Sequence, residues 1–198
     1  MKNQRLPHCA PCDNKQCRDR KDCFGRADHH KKLYQDPVMA KLHQAASAVE
    51  ARYYGKETRL GEIILFAKEL GCKKIGLVFC VGLSEEAVII EKIFARHFEV
   101  ASVCCKGSAL KKDQFSLEKL DDQADETMCN PAGQADLLDQ AGTELNVMCG
   151  LCVGHDSIFY QTSKAPVTTL IVKDRVLGHN PAAAVYSPYI RRKFGIDD

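Results

Sequence analysis

From Asp36 onward the apolar positions recur at helical spacing. Asp36-Pro37 reads as an N-cap followed by proline at the first helical position, and Val38, Leu42, Ala45, Ala46 and Val49 then share one face. A second helix is predicted to start near Thr58, to carry Leu60, Ile63, Ile64, Ala67 and Leu70, and to stop at Gly71. The period then changes. Lys73 to Cys80 is a short apolar run, the pattern of a strand buried on both faces. Gly82-Leu83-Ser84 turns the chain into a helix whose apolar side is read as Val88, Ile89, Ile93 and Phe94, and Phe98 to Cys105 reads as the next strand. Strand, helix and strand within about thirty residues have the size of a βαβ unit.

The pattern repeats downstream. Asn130-Pro131 caps a helix through Ala135, Leu137 and Leu138, and Leu145 to Cys149 is a third strand. A short helix is predicted near Ser157 to Gln161, a fourth strand over Val167 to Val172, and a last helix from Ala182 to about Arg192. The expected fold is α/β: a three-layer, mostly parallel four-stranded sheet of the Rossmann or flavodoxin kind, carrying a cysteine-rich N-terminal segment. The expected organisation is a metal- or cluster-binding segment over residues 1–35 and an α/β domain over 36–198.

Composition adds one anomaly. A chain of 198 residues buries roughly 70% of its unfolded surface and needs no cross-links to hold a core, yet this one carries eleven cysteines, an odd number that cannot all pair internally. Met1 to His8 holds no apolar core of a signal peptide, and the longest apolar run, Ile75 to Leu83, is nine residues, too short for a bilayer. A cytoplasmic protein is expected, where thiols stay reduced and dense cysteine usage points to metal or redox chemistry. The net charge of +2 argues against a nucleic-acid partner, and the absence of an apolar span argues against a membrane. Residues 1–35 hold nine basic and four acidic side chains against 19 and 22 in the remainder, a basic head on a mildly acidic body.

The cysteines fall where the pattern ends strands. Cys80 ends the first, Cys104 and Cys105 the second and Cys149 the third; Cys152 lies in the loop that follows, and Cys129 immediately precedes the Asn130-Pro131 cap. The carboxyl ends of parallel strands share one edge and ligands bind in the crevice outside it. With neighbouring strands about 4.8 Å apart, thiols from two or three of them can meet at one ion or cluster. Only one of Cys104 and Cys105 is expected to face that crevice, because successive strand side chains point to opposite faces. Cys72, between a helix end and a strand, is left out. The head supplies a second set, Cys9-x2-Cys12-x4-Cys17-x5-Cys23, in which four thiolates in one continuous loop suit a 4Fe-4S cluster or a structural zinc. His155 and Asp156 are candidates to supply a proton at the crevice, and His179 to serve as a neutral ligand or donor; Asp156 reads equally as a helix N-cap. Lys106 and Gly107 follow the cysteine pair and could bring charge or N–H groups to cluster sulfurs.

Cys9-Ala10-Pro11-Cys12, Gly76 to Gly82, Cys104-Cys105-Lys106, Cys129-Asn130-Pro131, Met148 to Asp156 and Gly178-His179-Asn180-Pro181 together resemble an uncharacterised family of cysteine-rich proteins of anaerobic bacteria and archaea, the domain of unknown function 1847 family. The resemblance implies metal and an anaerobic context and names no substrate. The function expected is an iron–sulfur protein that transfers electrons to a partner or reduces a small substrate. One alternative is a zinc-binding structural or metal-handling protein; another is a thiol–disulfide oxidoreductase using Cys149 and Cys152, whose C-x-x-C lies between a strand and a helix whose N-terminus would lower the first thiol's pKa. A dinucleotide site is excluded, because Cys80-Val81-Gly82-Leu83-Ser84 lacks the G-x-G-x-x-G spacing.

Overall fold

The computed structural model describes residues 7–196. The chain divides between Gln44 and Ala45 into two compact units. In the first, a 3-10 turn (Gln16–Asp19) is followed by α1 (Ala27–Leu33), which the apolar pattern does not announce, and by the start of α2 (Pro37–Tyr53). Asp36 caps α2 as expected, its Oδ1 accepting the N–H groups of Val38 and Met39 at 3.0 and 2.9 Å. None of the described side chains from residue 7 to residue 44 is buried. Local polar contacts hold this stretch instead: Lys15 Nζ donates to the Cys9 carbonyl at 2.6 Å, and Asp22 accepts the N–H groups of Ala27 and Phe24. Those backbone donors, Ala27 first, hold the Asp22 carboxyl below its ordinary pKa.

The second unit is built on a four-stranded sheet in the order β2-β1-β3-β4, with β1 Lys74–Phe79, β2 Glu99–Cys104, β3 Leu145–Cys149 and β4 Val167–Ile171. All three pairings are parallel. The connections run through α4 (Ser84–Phe94), α5 (Pro131–Gln140) and α6 (His155–Thr162). The path steps from β1 to β2 in one direction and then from β2 across to β3 and β4 in the other. Right-handed crossovers therefore lay α4 on one face and α5 with α6 on the opposite one. α4 packs on β1 and β2, α5 on β2 and α6, and α3 (Arg59–Leu70) on β4. Because both faces are covered, Ile75, Leu77 and Val78 of β1 and every residue of β3 are buried. Strand order reverses between β1 and β3, so the ligand crevice of this topology opens beside Cys80 and Cys149. Among the described residues no helix is long and apolar enough to cross a membrane.

Helix ends follow the local sequence. Thr58 Oγ1 accepts the Gly61 N–H at 3.2 Å to start α3, Gly71 ends it at φ +76°, and Asn130 Oδ1 accepts the Gly133 N–H at 2.9 Å to start α5. Helix faces do not follow it as closely. In α4 the inward residues are Ala87, Ile90 and Phe94, whereas Val88 and Ile89 are 52% and 61% exposed. In α5, Gln134, Ala135 and Leu138 point inward and Leu137 outward. On α2 only Ala45 and Val49 are buried, and Val38 is exposed. The single C-terminal helix expected over 182–192 is two short ones, α7 (Ala183–Tyr186) and α8 (Pro188–Arg191). Pro188 lacks an N–H and drives Ser187 into extended backbone, at φ −88° and ψ 113°.

Two polar side chains in the core tie layers together. Gln134, 2% exposed, donates through Nε2 to the carbonyls of Phe79 and Val103, at the carboxyl ends of β1 and β2. Asn146 on β3 accepts from Thr143 Oγ1 at 2.8 Å and donates to Ser163 Oγ at 2.9 Å, binding the strand to the end of α6. Gly76 of β1 pairs with Asn146, and a Cβ there would collide with the Asn146 side chain and with Leu138. Gly76→Ala is therefore expected to lower the unfolding free energy by about 1–3 kcal/mol through overpacking. Denaturant unfolding of the two chains checks this, and an unchanged midpoint would contradict the packing described.

Candidate functional site

Cys80 leaves β1 and opens a 3-10 turn (Val81–Leu83), its carbonyl accepting the Leu83 N–H at 2.8 Å. Cys105 follows β2, and two backbone bonds pin it: its N–H donates to the Phe79 carbonyl at 3.0 Å, and its carbonyl accepts the Asn130 N–H at 2.8 Å. The second of these brings Cys129, twenty-four residues on, beside Cys105. Gly150 then turns the chain out of β3 at φ +69°, and its N–H donates to the Ile171 carbonyl at 2.8 Å. A Cβ at Gly150 would run into Leu83, so the Cys149-Gly150-Leu151-Cys152 loop requires glycine there. The Cys152 carbonyl accepts the N–H groups of His155 and Asp156, locking the loop onto the start of α6.

Four of the six crevice cysteines gather at one place. Cys80, Cys129 and Cys152 line one cavity, Cys105 is neighbour to Cys80 and Cys129, and Cys152 stands close enough to feel the charge of Cys80 and Cys129. Three of the sulfurs accept a nitrogen donor. Val81 N–H donates to Cys105 Sγ at 3.3 Å, Lys173 Nζ to Cys80 Sγ at 3.3 Å, and Arg175 Nη2 to Cys152 Sγ at 2.9 Å. Of the adjacent pair, Cys105 is the one that joins the other thiols, and Cys104 packs half-buried against the apolar cluster of Val78, Leu138 and Phe159. Cys72, left out of the site, is buried in the core.

Burial and crowding govern these thiols. Burial, reinforced by Cys129 and Cys80 against the opposing Val81 amide, pushes Cys105 up to about 12. Burial likewise raises Cys152, with Cys80 adding to it and Arg175 opposing. Cys80 goes the other way: burial raises it, but the Gly82 amide and Lys173 together outweigh that and favour its thiolate. Cys149 departs from the sequence expectation. It is fully buried, its pKa is pushed up to about 12 by burial and then by Glu86, and α6 begins only at His155, too far on for its N-terminus to activate this thiol.

The sulfurs border a cavity of about 490 Å³ lined by Cys80, Cys129 and Cys152, by Lys106, Lys112, Arg175 and His155, and by an apolar wall that includes Leu117 and Met128. Burial first, and then Lys106, hold the His155 imidazole below its usual pKa and favour its neutral form. The segment between Cys105 and Cys129 forms the cavity's outer side. It is braced by a Lys112–Glu126 ion pair at 2.9 Å, a Lys111–Asp125 pair at 2.7 Å, an antiparallel bridge between Lys111 and Thr127, and a bond from Lys106 to the Thr127 carbonyl. Sequence reasoning missed Lys112, Lys173 and Arg175. A signal for the last two existed, since Lys173-Asp174-Arg175 follows β4 at the same carboxyl edge of the sheet.

Other candidates have local roles. Asp156 is not the N-cap, a place that Gly154 takes; from within the first turn of α6 its Oδ1 accepts the N–H groups of Gly154 and Ser157 at 2.9 and 2.8 Å. His179 Nδ1 accepts the Asp174 N–H at 3.1 Å, and Asp174 Oδ1 accepts those of Val176 and Leu177, so His179 shapes the loop that carries Arg175. In the head, Cys9, Cys17 and Cys23 are exposed and Cys12 half-exposed, and the thiols of Cys12, Cys17 and Cys23 donate to acceptors two residues away. Among the described residues no three His, Cys, Asp or Glu side chains stand in an arrangement that could hold a metal ion.

No solved structure matches this chain. An uncharacterized protein of Methanocaldococcus jannaschii is 48% identical to it over 188 residues, covering 93% of this chain and 96% of that protein. The model of the family described as protein of unknown function (DUF1847) matches residues 18–170, a span that holds every crevice cysteine and, of the head set, Cys23. The chain that gathers these thiols at the edge of a parallel sheet therefore belongs to the DUF1847 family.

Proposed function

We propose that Cys80, Cys105, Cys129 and Cys152 hold an iron–sulfur cluster and that the protein exchanges electrons at the adjoining cavity with a small substrate or a protein partner. One observation carries this reading. Four thiols from three connections, with Cys105 and Cys129 at the two ends of the one that follows β2, gather beside one cavity, and three of the four sulfurs accept a nitrogen donor. Such crowding out of water disfavours thiolates in a metal-free protein, and a bound cation reverses that preference. The donor set thus suits thiolate-ligated metal chemistry. When bound, a cluster supplies a one-electron store.

The remaining roles belong to the chain itself. Val81 N–H, Lys173 and Arg175 orient the sulfurs and offset their negative charge. Met128 and Leu117 keep one wall of the cavity apolar, and neutral His155 offers a ring nitrogen for proton exchange with a bound molecule. The head favours a second centre: a stretch without buried side chains has no apolar core to order it, and four thiols within fifteen residues offer zinc or a second cluster as the substitute.

Zinc in the crevice is the second reading, because zinc takes the same four-thiolate donor set. Structural zinc sites are closed, however, and here Cys80, Cys129 and Cys152 all face a cavity. The dithiol reading loses its nucleophile, since Cys149 is sealed in the core and resists ionisation.

Purification without oxygen, with iron, zinc and labile sulfide quantified, tests the assignment. Iron with sulfide and broad visible absorbance is expected; a colourless zinc protein supports the second reading, and a metal-free chain rejects both. Cys129→Ser is expected to abolish the crevice centre while Cys104→Ser retains it, read as metal equivalents per chain. Cys12→Ser is expected to remove only the head metal; loss of all metal from either Cys12→Ser or Cys129→Ser would mean that the two thiol sets serve one site.

A further inference from the structure

Lys173 and Arg175 leave the sheet by the same short segment. β4 ends at Ile171 beside β3, so this segment begins at the carboxyl edge where the crevice lies. Lys173 Nζ stands 3.3 Å from Cys80 Sγ, and a Cβ on Gly82 would come within 3.0 Å of that ammonium, so the glycine leaves room for it. Arg175 Nη2 stands 2.9 Å from Cys152 Sγ. The loop between and beyond them is built rather than slack: Asp174 Oδ1 accepts the N–H groups of Val176 and Leu177, each at 2.9 Å, and His179 bonds Asp174 through both Nδ1 and its own N–H.

Neither cation takes part in an ion pair with a carboxylate among the described residues, whereas Lys74, Lys111, Lys112, Lys119 and Lys164 all do. Lys173 is half-buried. The groups it and Arg175 face are sulfurs. Four thiolates around a doubly positive core leave two negative charges, the number these two side chains would balance.

We propose that Lys173 and Arg175 are positioning residues that neutralise the crevice centre, strengthening its retention and raising its reduction potential. The inference rests on the metal reading of the four thiols. A one-electron reduction by an external low-potential donor adds a negative charge to the ligated centre, and cations held against its sulfurs stabilise that added charge. Removing one of them therefore makes the centre harder to reduce and easier to strip.

The test uses the full chain purified without oxygen, in wild-type form and as Lys173→Met, Lys173→Arg and Arg175→Met, with Cys129→Ser as the reference for metal held elsewhere. Two quantities are read: the rate at which a chelator removes crevice metal, and, where iron is present, the midpoint of a dithionite titration followed by visible bleaching. Lys173→Met and Arg175→Met are expected to weaken metal retention by roughly 10–100-fold and to move the midpoint to more negative potential, with Lys173→Arg remaining near wild type. Crevice metal held by both methionine variants at wild-type strength and potential would overturn the inference and leave the metal reading standing. So would a Lys173→Arg chain as impaired as Lys173→Met, which would mean that shape and not charge matters. A wild-type chain with no more metal than Cys129→Ser overturns the reading and the inference together.

Discussion

Thiols gathered out of water resist ionisation twice over, once because burial penalises a thiolate and again because each thiolate repels the next. That electrostatic constraint governs the carboxyl edge of this sheet. Cys105 is pushed up to about 12 under burial and its sulfur neighbours, while Cys80, with the Gly82 amide and Lys173 beside it, moves the opposite way. Donors set against the sulfurs relieve part of that penalty, Lys173 on Cys80, Arg175 on Cys152 and the Val81 amide on Cys105; on the metal reading proposed above, a bound centre would relieve the rest.

The fold meets the constraint through topology and a few close approaches. Reversal of strand order between β1 and β3 leaves a gap at the carboxyl edge, and the loops leaving β1, β2, β3 and β4 all reach it. Backbone bonds then register those loops against each other: Cys105 N–H to the Phe79 carbonyl, Asn130 N–H to the Cys105 carbonyl and Gly150 N–H to the Ile171 carbonyl. Gln134 closes the ends of β1 and β2 from behind, using one side-chain amide to satisfy two strand carbonyls. Gly76 and Gly150 permit contacts that any side chain would block. Positions that look like ordinary glycine and glutamine in the sequence therefore set where the sulfurs stand.

The two units rest on different physics. The second has a packed core in which Ile75, Leu77, Val78, Leu138, Leu145 and Val147 are sealed from solvent, and apolar burial is enough to hold it. In the first, caps and polar contacts anchored on Asp22, Asp36 and Lys15, with an edge-on Tyr34–His43 ring contact, take the place of a core. On the metal reading proposed above, its four cysteines would give such a stretch rigidity, since metal–thiolate bonds do not require an apolar interior.

Local chemistry was legible in the sequence wherever a few neighbouring residues decide the outcome. The apolar runs ending at Cys80, Cys105 and Cys149 marked strands, Thr58, Asn130 and Gly71 marked helix ends, and the placing of cysteines after strands put them at the carboxyl edge of the sheet, where they lie. What escaped it depends on residues distant along the chain. Val88 and Ile89 are as apolar as Ile90, and only packing against the sheet turns Ile90 inward. Cys104 and Cys105 are chemically identical, and the Val81 amide distinguishes them by donating to one. Cys149 looked activated from its spacing to the next helix but is sealed from solvent, where burial favours its protonated form. Lys173 and Arg175 stand more than ninety and twenty residues from their sulfur partners, so the sequence could place them at the edge after β4 but not show which sulfur each one meets. Residue order by itself determined the strands, the caps and the edge to which the thiols run; the tertiary structure decided which thiols meet and which cations answer them, because burial and charge act through space rather than along the chain.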